Sequence, residues 1–172
     1  MVDPRVFSWN ASIVVLFLAS FLVWIMVAGV GVLWIFDNGK EGRSRISRAF
    51  GAALASWAIT AIVKILHPTT RPFEIAGFSP LTLTLPKDGS FPSGHAAFAW
   101  SLATVLYSYN KFYGLLFSLL ALGVSIGRVL SGVHFVTDVL VGSVVGVSVG
   151  YAFSGALYSK IPLKNANKSR RK

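Results

Sequence analysis

Residues 12–36 read SIVVLFLASFLVWIMVAGVGVLWIF, twenty-five consecutive positions without a charged side chain. A helix that crosses the hydrocarbon of a bilayer needs about 17–25 mostly apolar residues. Within lipid a lone segment satisfies its backbone only as a helix. Four further segments have the same character. Ile46–Leu66 carries two charges, Arg48 near its start and Lys64 near its end; Ser93–Tyr109 carries none but contains His95; Phe112–Leu130 has Arg128 near its end; and Phe135–Tyr158 has Asp138 near its start. The expected fold is therefore all-α, a polytopic transmembrane helical bundle of about five spans. An ionisable residue close to the end of such a segment is a functional candidate in its own right.

Composition agrees. Hydrophobic residues make up 54% of the 172 positions and charged residues 13%, against about 25% charged in a soluble domain; the mean hydropathy is +0.66. The absence of cysteine excludes disulfides and thiolate metal sites. No cleaved signal peptide is expected, because Met1–Asn10 carries Asp3 and Arg5 and the following apolar run is too long for a signal core. The net charge of +10 raises the question of nucleic acid. No nucleic acid partner is expected, since the basic residues sit at the ends of apolar segments, where membrane topology places them.

With the N-terminus outside, Lys40, Arg43, Arg45, Arg48, Lys111, Lys160, Lys164, Lys168, Arg170, Arg171 and Lys172 fall inside, eleven of the sixteen basic residues; Arg5, Lys64, Arg71, Lys87 and Arg128 fall outside. The positive-inside rule selects this orientation, with a cytoplasmic C-terminus. Residues 1–159 then form the membrane domain and 160–172 a basic cytoplasmic tail. Asp37–Arg45 is expected to be a plain loop and Asn110-Lys111 a tight turn. His67–Phe91 is the longest connection, broken by Pro68, Pro72, Pro80 and Pro86, with Pro92 just beyond.

Gly142, Gly146 and Gly150 recur every four residues, and Gly123 and Gly127 repeat the interval. Small residues at this period let helices approach closely. They admit two readings, tight packing inside one bundle, which weighs more, or the face of a homodimer.

Three clusters can carry chemistry: Lys64 with Arg71-Pro72; Pro92-Ser93-Gly94-His95; and Arg128 with His134 and Asp138. The topology brings them all to one membrane face. His134 and Asp138 are four residues apart and share a face if helical. A carboxylate beside an imidazole selects its tautomer and aims the other nitrogen outward as a base or nucleophile. Lys64, Arg71 and Arg128 suit a phosphate clamp, the fixed positive charge that phosphoryl transfer requires. Ser93 and Gly94 open a helix whose N-terminal amides can face an anion. Each residue also has a plainer reading: Lys64 as a snorkelling anchor, Arg71 as a loop charge, Ser93 as a helix cap, Asp138 as a carboxylate favoured by the helix dipole, His134 as a satisfied polar residue. His67, Glu74 and Asp88 receive no role. The three histidines are scattered and no carboxylate cage exists, so no metal and no cofactor are expected.

In this order and spacing the clusters resemble the three signature motifs of the type-2 phosphatidic acid phosphatase superfamily. The resemblance runs from Lys64 to Asp138. It implies a metal-independent membrane lipid phosphatase in which His134 forms a transient phosphohistidine, oriented by Asp138. It also implies His95 as the acid that protonates the leaving group, and Lys64, Arg71, Ser93, Gly94 and Arg128 as the phosphate-binding set. The outward site is similar to that of undecaprenyl diphosphate phosphatases of the plasma membrane. The implied substrate is therefore a polyprenyl diphosphate, with phosphatidate or phosphatidylglycerophosphate as alternatives. A lipid phosphotransferase and a non-catalytic lipid-phosphate binder are further alternatives. One position departs from the pattern: Gly127 stands where the superfamily usually has Ser before the Arg.

Overall fold

The computed structural model describes residues 3–155. Among them there are helices and no strands. Helix α1 (Trp9–Leu16) starts at Ser8, whose Oγ accepts from the Ala11 amide at 3.4 Å, and a π turn (Phe17–Phe21) joins it to α2 (Leu22–Phe36) in one 28-residue rod. Then come α3 (Lys40–Leu66), the short α4 (Pro72–Ala76), α5 (Gly94–Tyr109), α6 (Lys111–Leu130) and α7 (Val136–Phe153). The rod, α3, α6 and α7 are long and apolar enough to cross a membrane. The chain is an integral membrane protein.

Two expectations about boundaries change. Residues 40–45 are not loop but the first turns of α3, which begins at Lys40. The Gly39 amide donates to Asp37 Oδ1 at 2.8 Å, and Glu41 pairs with Arg45 four residues on. A search for apolar runs misses such a charged helix end. The segment expected over Ser93–Tyr109 is a 16-residue helix, rising only about 24 Å at 1.5 Å per residue. At 16 residues α5 is shorter than the four helices that are long and apolar enough to cross a membrane. The expected basic tail at 160–172 and the end of the Phe135–Tyr158 segment lie outside the described residues.

The short helix is the centre of the bundle. α5 packs against α3, α6 and α7. It can do so because its buried positions are mostly small: Ala96, Ala97, Ala99, Ser101 and Ala103. The large side chains point the other way, with Trp24, Ile25, Ile35, Leu115, Leu119 and Val144 among the exposed residues. A small-residue interior under an apolar exterior is the pattern of helices that pack in lipid.

The glycine period of α7 is used inside the bundle. A Cβ on Gly142 would lie 2.4 Å from the Ser93 carbonyl oxygen, one on Gly146 2.3 Å from that of Ala97, and one on Gly150 2.8 Å from Thr104 Cβ. α5 thus occupies the surface that a homodimer reading of these glycines would need. Few polar groups bridge the helices in this core, among them Ser56 Oγ to Ser101 Oγ at 3.2 Å and Trp100 Nε1 to Ser125 Oγ at 3.1 Å.

Candidate active site

The long connection and the α6–α7 turn fold together over one end of α5. Arg71 is the tether. Its guanidinium donates to the Asp88 carbonyl (2.9 Å), to Asp88 Oδ1 (2.8 Å), to the Gly89 carbonyl (3.1 Å) and to the Val133 carbonyl (2.8 Å). Only 1% of its side chain is exposed. The Arg71 amide donates to Glu74, the third residue of α4, which begins at Pro72. An arginine that ties residues 88–89 to residue 133 is more than a loop charge: its planar fork organises the site wall.

His134 lies in the turn after α6, two residues before α7 begins, and is buried. Shared helical face is therefore not what joins it to Asp138. Asp138 occupies the third position of α7, where its Oδ2 accepts from the Phe135 amide at 2.9 Å and from Ser90 Oγ at 2.6 Å. The same oxygen stands 3.5 Å from His134 Nδ1, and Ser90 Oγ is 3.4 Å from that nitrogen. The carboxylate is both a helix cap and the imidazole's orienting partner. Nε2 faces the opposite way, 3.5 Å from Arg71 Nη1. Burial pushes the His134 imidazole down to about 3; the Asp138 hydrogen bond opposes this, while Arg128, Arg71 and Lys64 add to it. The ring is neutral at ordinary pH, and a proton held on Nδ1 by Asp138 leaves the Nε2 lone pair free.

A cavity of about 240 Å³ opens in front of Nε2, lined by Lys64, Arg71, Asp88, Gly94, His95, Arg128 and His134 among others. The structure thus brings together all three cations and both motif histidines, with Asp138 behind His134. Two buried polar atoms in this region have no partner among the described residues, Ser93 Oγ and Arg128 Nε. The Ser93 hydroxyl makes no capping bond to α5. Gly94 admits α3, since a Cβ there would lie 3.2 Å from Thr60 Oγ1 and from Trp57 Cδ1. The first turn of α5, whose amides lack helical partners, borders the cavity at Gly94 and His95.

Residues without an assigned role also enter. Asp88 bonds Lys64 Nζ through Oδ2 at 2.7 Å as well as Arg71 through Oδ1, while 57% of its side chain stays exposed. Burial raises its carboxyl, but the bond and charge of Lys64 and the charge of Arg71 outweigh that and hold it below the usual carboxylate range. Ser90 holds Asp138, and the Ala19 carbonyl, on the first rod, accepts from Arg128 Nη1 at 3.1 Å. An acid inside a cluster of cations is a signal that charge complementarity could have supplied. No spacing rule points to Ser90 or Ala19. His67 stays exposed and does not line the cavity.

A second cavity, about 390 Å³ and almost wholly apolar, lies between α2, α3 and α5, lined by Trp24, Val27, Phe50, Leu54 and Phe98 among others. Trp57 and His95 line both cavities. The polar chamber and the apolar groove therefore meet at His95.

The site thus sets a buried imidazole, backed by a carboxylate, beside three cations at one end of a helical membrane bundle, and the bundle defines the class, a polytopic helical membrane protein. The PAP2 superfamily pattern matches residues 46–161, and the chain belongs to that superfamily. It is 31% identical over 134 residues to the bacitracin transport permease protein BcrC of Bacillus licheniformis, covering 78% of this chain and 66% of that one. It is 32% identical over 148 residues to an undecaprenyl-diphosphatase of Sulfolobus acidocaldarius, covering 83% and 66%. The chain thus spans slightly under two thirds of the length of these relatives. Among solved structures, Aquifex aeolicus LpxE superposes with a TM-score of 0.71 at 23% identity, covering 87% of this chain and 88% of that one. A transmembrane PAP2-type phosphatidylglycerolphosphate phosphatase from Bacillus subtilis superposes at 0.63 with 21% identity, covering 94% and 83%. Both show the same fold.

Proposed function

We propose that this protein hydrolyses a lipid phosphate or diphosphate without a metal, through a phosphohistidine on His134, and that its substrate is a polyprenyl diphosphate. The observation that carries the reading is the placement of His134: buried, with Asp138 behind its Nδ1 and a chamber with three cations on its other side. The head group would occupy that chamber and the hydrocarbon chain the apolar groove, with the scissile bond near His95, where the two meet.

In the first step the Nε2 lone pair forms a bond to phosphorus as the bond to the leaving oxygen breaks, and His95, which takes up a proton once the bound anion offsets the surrounding cations, gives that proton to the leaving oxygen. In the second, water adds to phosphorus, the phosphorus–nitrogen bond breaks, and His95 takes the water's proton back. Lys64, Arg71, Arg128 and the Ser93 hydroxyl stabilise the charge on the equatorial oxygens. Lys64 must first be released by Asp88, and the exposure of that carboxylate gives it room to turn outward. Fixed cations here do the work that a magnesium ion does in many phosphoryl-transfer sites.

The choice of a polyprenyl diphosphate is supported by the undecaprenyl-diphosphatase relative and by a groove apolar along its length. The orientation, site outward at the plasma membrane, is supported by Lys40, Arg43, Arg45, Arg48 and Lys111 standing at the end remote from the cavity. The test is a substrate panel in detergent, with chelator present. Release of phosphate from polyprenyl diphosphate at a higher kcat/KM than from phosphatidate or phosphatidylglycerophosphate is expected. The reverse preference sinks the substrate assignment, and a requirement for added magnesium sinks the metal-free mechanism. Cysteine labelling from outside at positions 71 and 134 tests the orientation.

A further inference from the structure

Arg128 is a buried cation without a carboxylate partner among the described residues. Its single hydrogen bond among the described residues runs from Nη1 to the Ala19 carbonyl. A guanidinium with five donors and one fixed acceptor, beside Arg71 and Lys64, would swing away from its neighbours unless that acceptor holds it. The acceptor sits in an irregular place. Ala19 is the middle residue of the π turn Phe17–Phe21, where the Leu22 amide bonds Phe17 five residues back instead of four. π turns inside α-helices cost regular hydrogen bonding and recur at functional sites.

Gly127, the departure from the superfamily pattern, belongs to the same arrangement. A Cβ at position 127 would fall 2.6 Å from the Leu18 carbonyl carbon and 2.7 Å from the Ala19 nitrogen. A serine there could not coexist with the π turn where it stands. The glycine removes one hydroxyl next to Arg128 and admits a carbonyl in its stead. Gly123, one turn earlier, is pressed by Leu22 in the same way, a Cβ there lying 2.8 Å from Leu22 Cδ2.

We propose that the π turn of the first rod is a positioning element of the site: with Gly127 giving it room, the Ala19 carbonyl fixes Nη1 of Arg128 and leaves the rest of the guanidinium for the phosphoryl group. This rests on the phosphate-clamp reading above and extends it to a rod that contributes no motif residue. The same turn reaches the outer connection, for Ser20 Oγ accepts from the Leu83 amide at 3.2 Å.

The test is a double-mutant cycle read on inorganic phosphate affinity, with kcat/KM on a soluble phosphate ester alongside. Deleting Ala19 converts the π turn to a regular α-helical one while keeping both flanks in register. With Arg128 present the deletion is expected to weaken phosphate binding by ~10-fold; in the Arg128→Lys background, where no Nη1 exists, by less than ~2-fold. Equal losses in the two backgrounds would mean that the turn serves packing alone and would overturn the proposal. So would unchanged affinity in the single deletion. If the deleted chain does not yield a monodisperse protein, Gly127→Ala, which forces the Leu18–Ala19 backbone away, enters the same cycle with the same expectations. A wild-type protein that binds phosphate yet releases none from the ester breaks the hydrolysis reading and leaves the cycle decisive. One that hydrolyses with an additive cycle breaks the positioning claim alone. One without measurable phosphate affinity overturns both.

Discussion

The two ends of the bundle carry the same kinds of residue and use them differently. At the end remote from the cavity Arg43 stacks over Trp34 with its Cζ 5.0 Å from the ring centre and donates to the Asp37 carbonyl at 2.7 Å. Arg45 lies over Tyr109, whose hydroxyl bonds Asp37. Those arginines are exposed or half-buried. At the cavity end Arg71 and Arg128 are buried, and Arg128 has no acid partner among the described residues. A buried cation costs several kcal/mol of desolvation unless its surroundings compensate. A surface cation at a membrane boundary costs little. Charge at the first end can be explained by topology; charge at the second calls for an anionic ligand.

The largest way to break that contrast is His134→Ala. It removes the proposed nucleophile but no tether, and turnover is expected to fall by about 10³-fold or more with the size-exclusion profile and helical content unchanged. Phosphate-release assays on purified protein measure it, and activity within tenfold of wild type would count against the nucleophile. Next comes Arg71→Lys. Lysine keeps the charge but cannot reach Asp88, Gly89 and Val133 together. Losing such a buried network is expected to cost ~3 kcal/mol of stability as well as activity. A fall in thermal midpoint accompanying the fall in kcat is the expected signature. Arg43→Lys, made in parallel, should move neither.

How much of this was legible beforehand depended on whether a feature had a period or a pattern. The apolar runs exposed the helices to within a few residues, because lipid demands length and lack of charge over many positions at once. The motif residues were found by a different route, their resemblance in order and spacing to a known family's motifs: Lys64, Arg71, His95, Arg128, His134 and Asp138 are gathered by the fold, five lining the chamber and Asp138 backing His134. What escaped notice was carried by single contacts. The start of α3 at Lys40 depends on local capping. The closeness of His134 to Asp138 depends on Asp138 capping α7, not on a helical period through both. Asp88, Ser90 and the Ala19 carbonyl act through tertiary neighbours between 17 and 109 residues away in sequence. The glycine interval in α7 was visible, but only the contact with α5 assigns it to the interior.

Asp88→Asn sharpens the contrast further. The carboxylate neutralises part of the clamp, so its removal is expected to tighten inhibition by inorganic phosphate or vanadate about 5-fold. A weaker inhibitor constant would instead make Asp88 a strut for Lys64 and Arg71. A smaller effect concerns pH. The folded His134 lies below its unfolded value of 6.5, so the unfolded chain binds the extra proton and stability falls as pH drops from 6.5 toward 3. Replacing His134 with Gln should flatten that part of the curve in detergent-solubilised thermal unfolding.

The smallest expected effect belongs to the remote end, and it is informative for being small. Arg43→Ala removes a cation–π contact and one hydrogen bond to a backbone carbonyl, interactions worth about 0.5–1 kcal/mol at an exposed site. If charge there serves orientation in the membrane, kcat/KM should stay within ~2-fold of wild type. Three of its neighbours, Lys40, Arg45 and Arg48, still mark that face, so topology should hold as well. The informative comparison is then cumulative: removing all four basic residues should invert or mix the orientation of inserted protein, read by protease access to the termini, while protein solubilised in detergent keeps its turnover. Loss of turnover in detergent would mean that the two ends are energetically coupled through α3, and the division between topological and catalytic charge would fail.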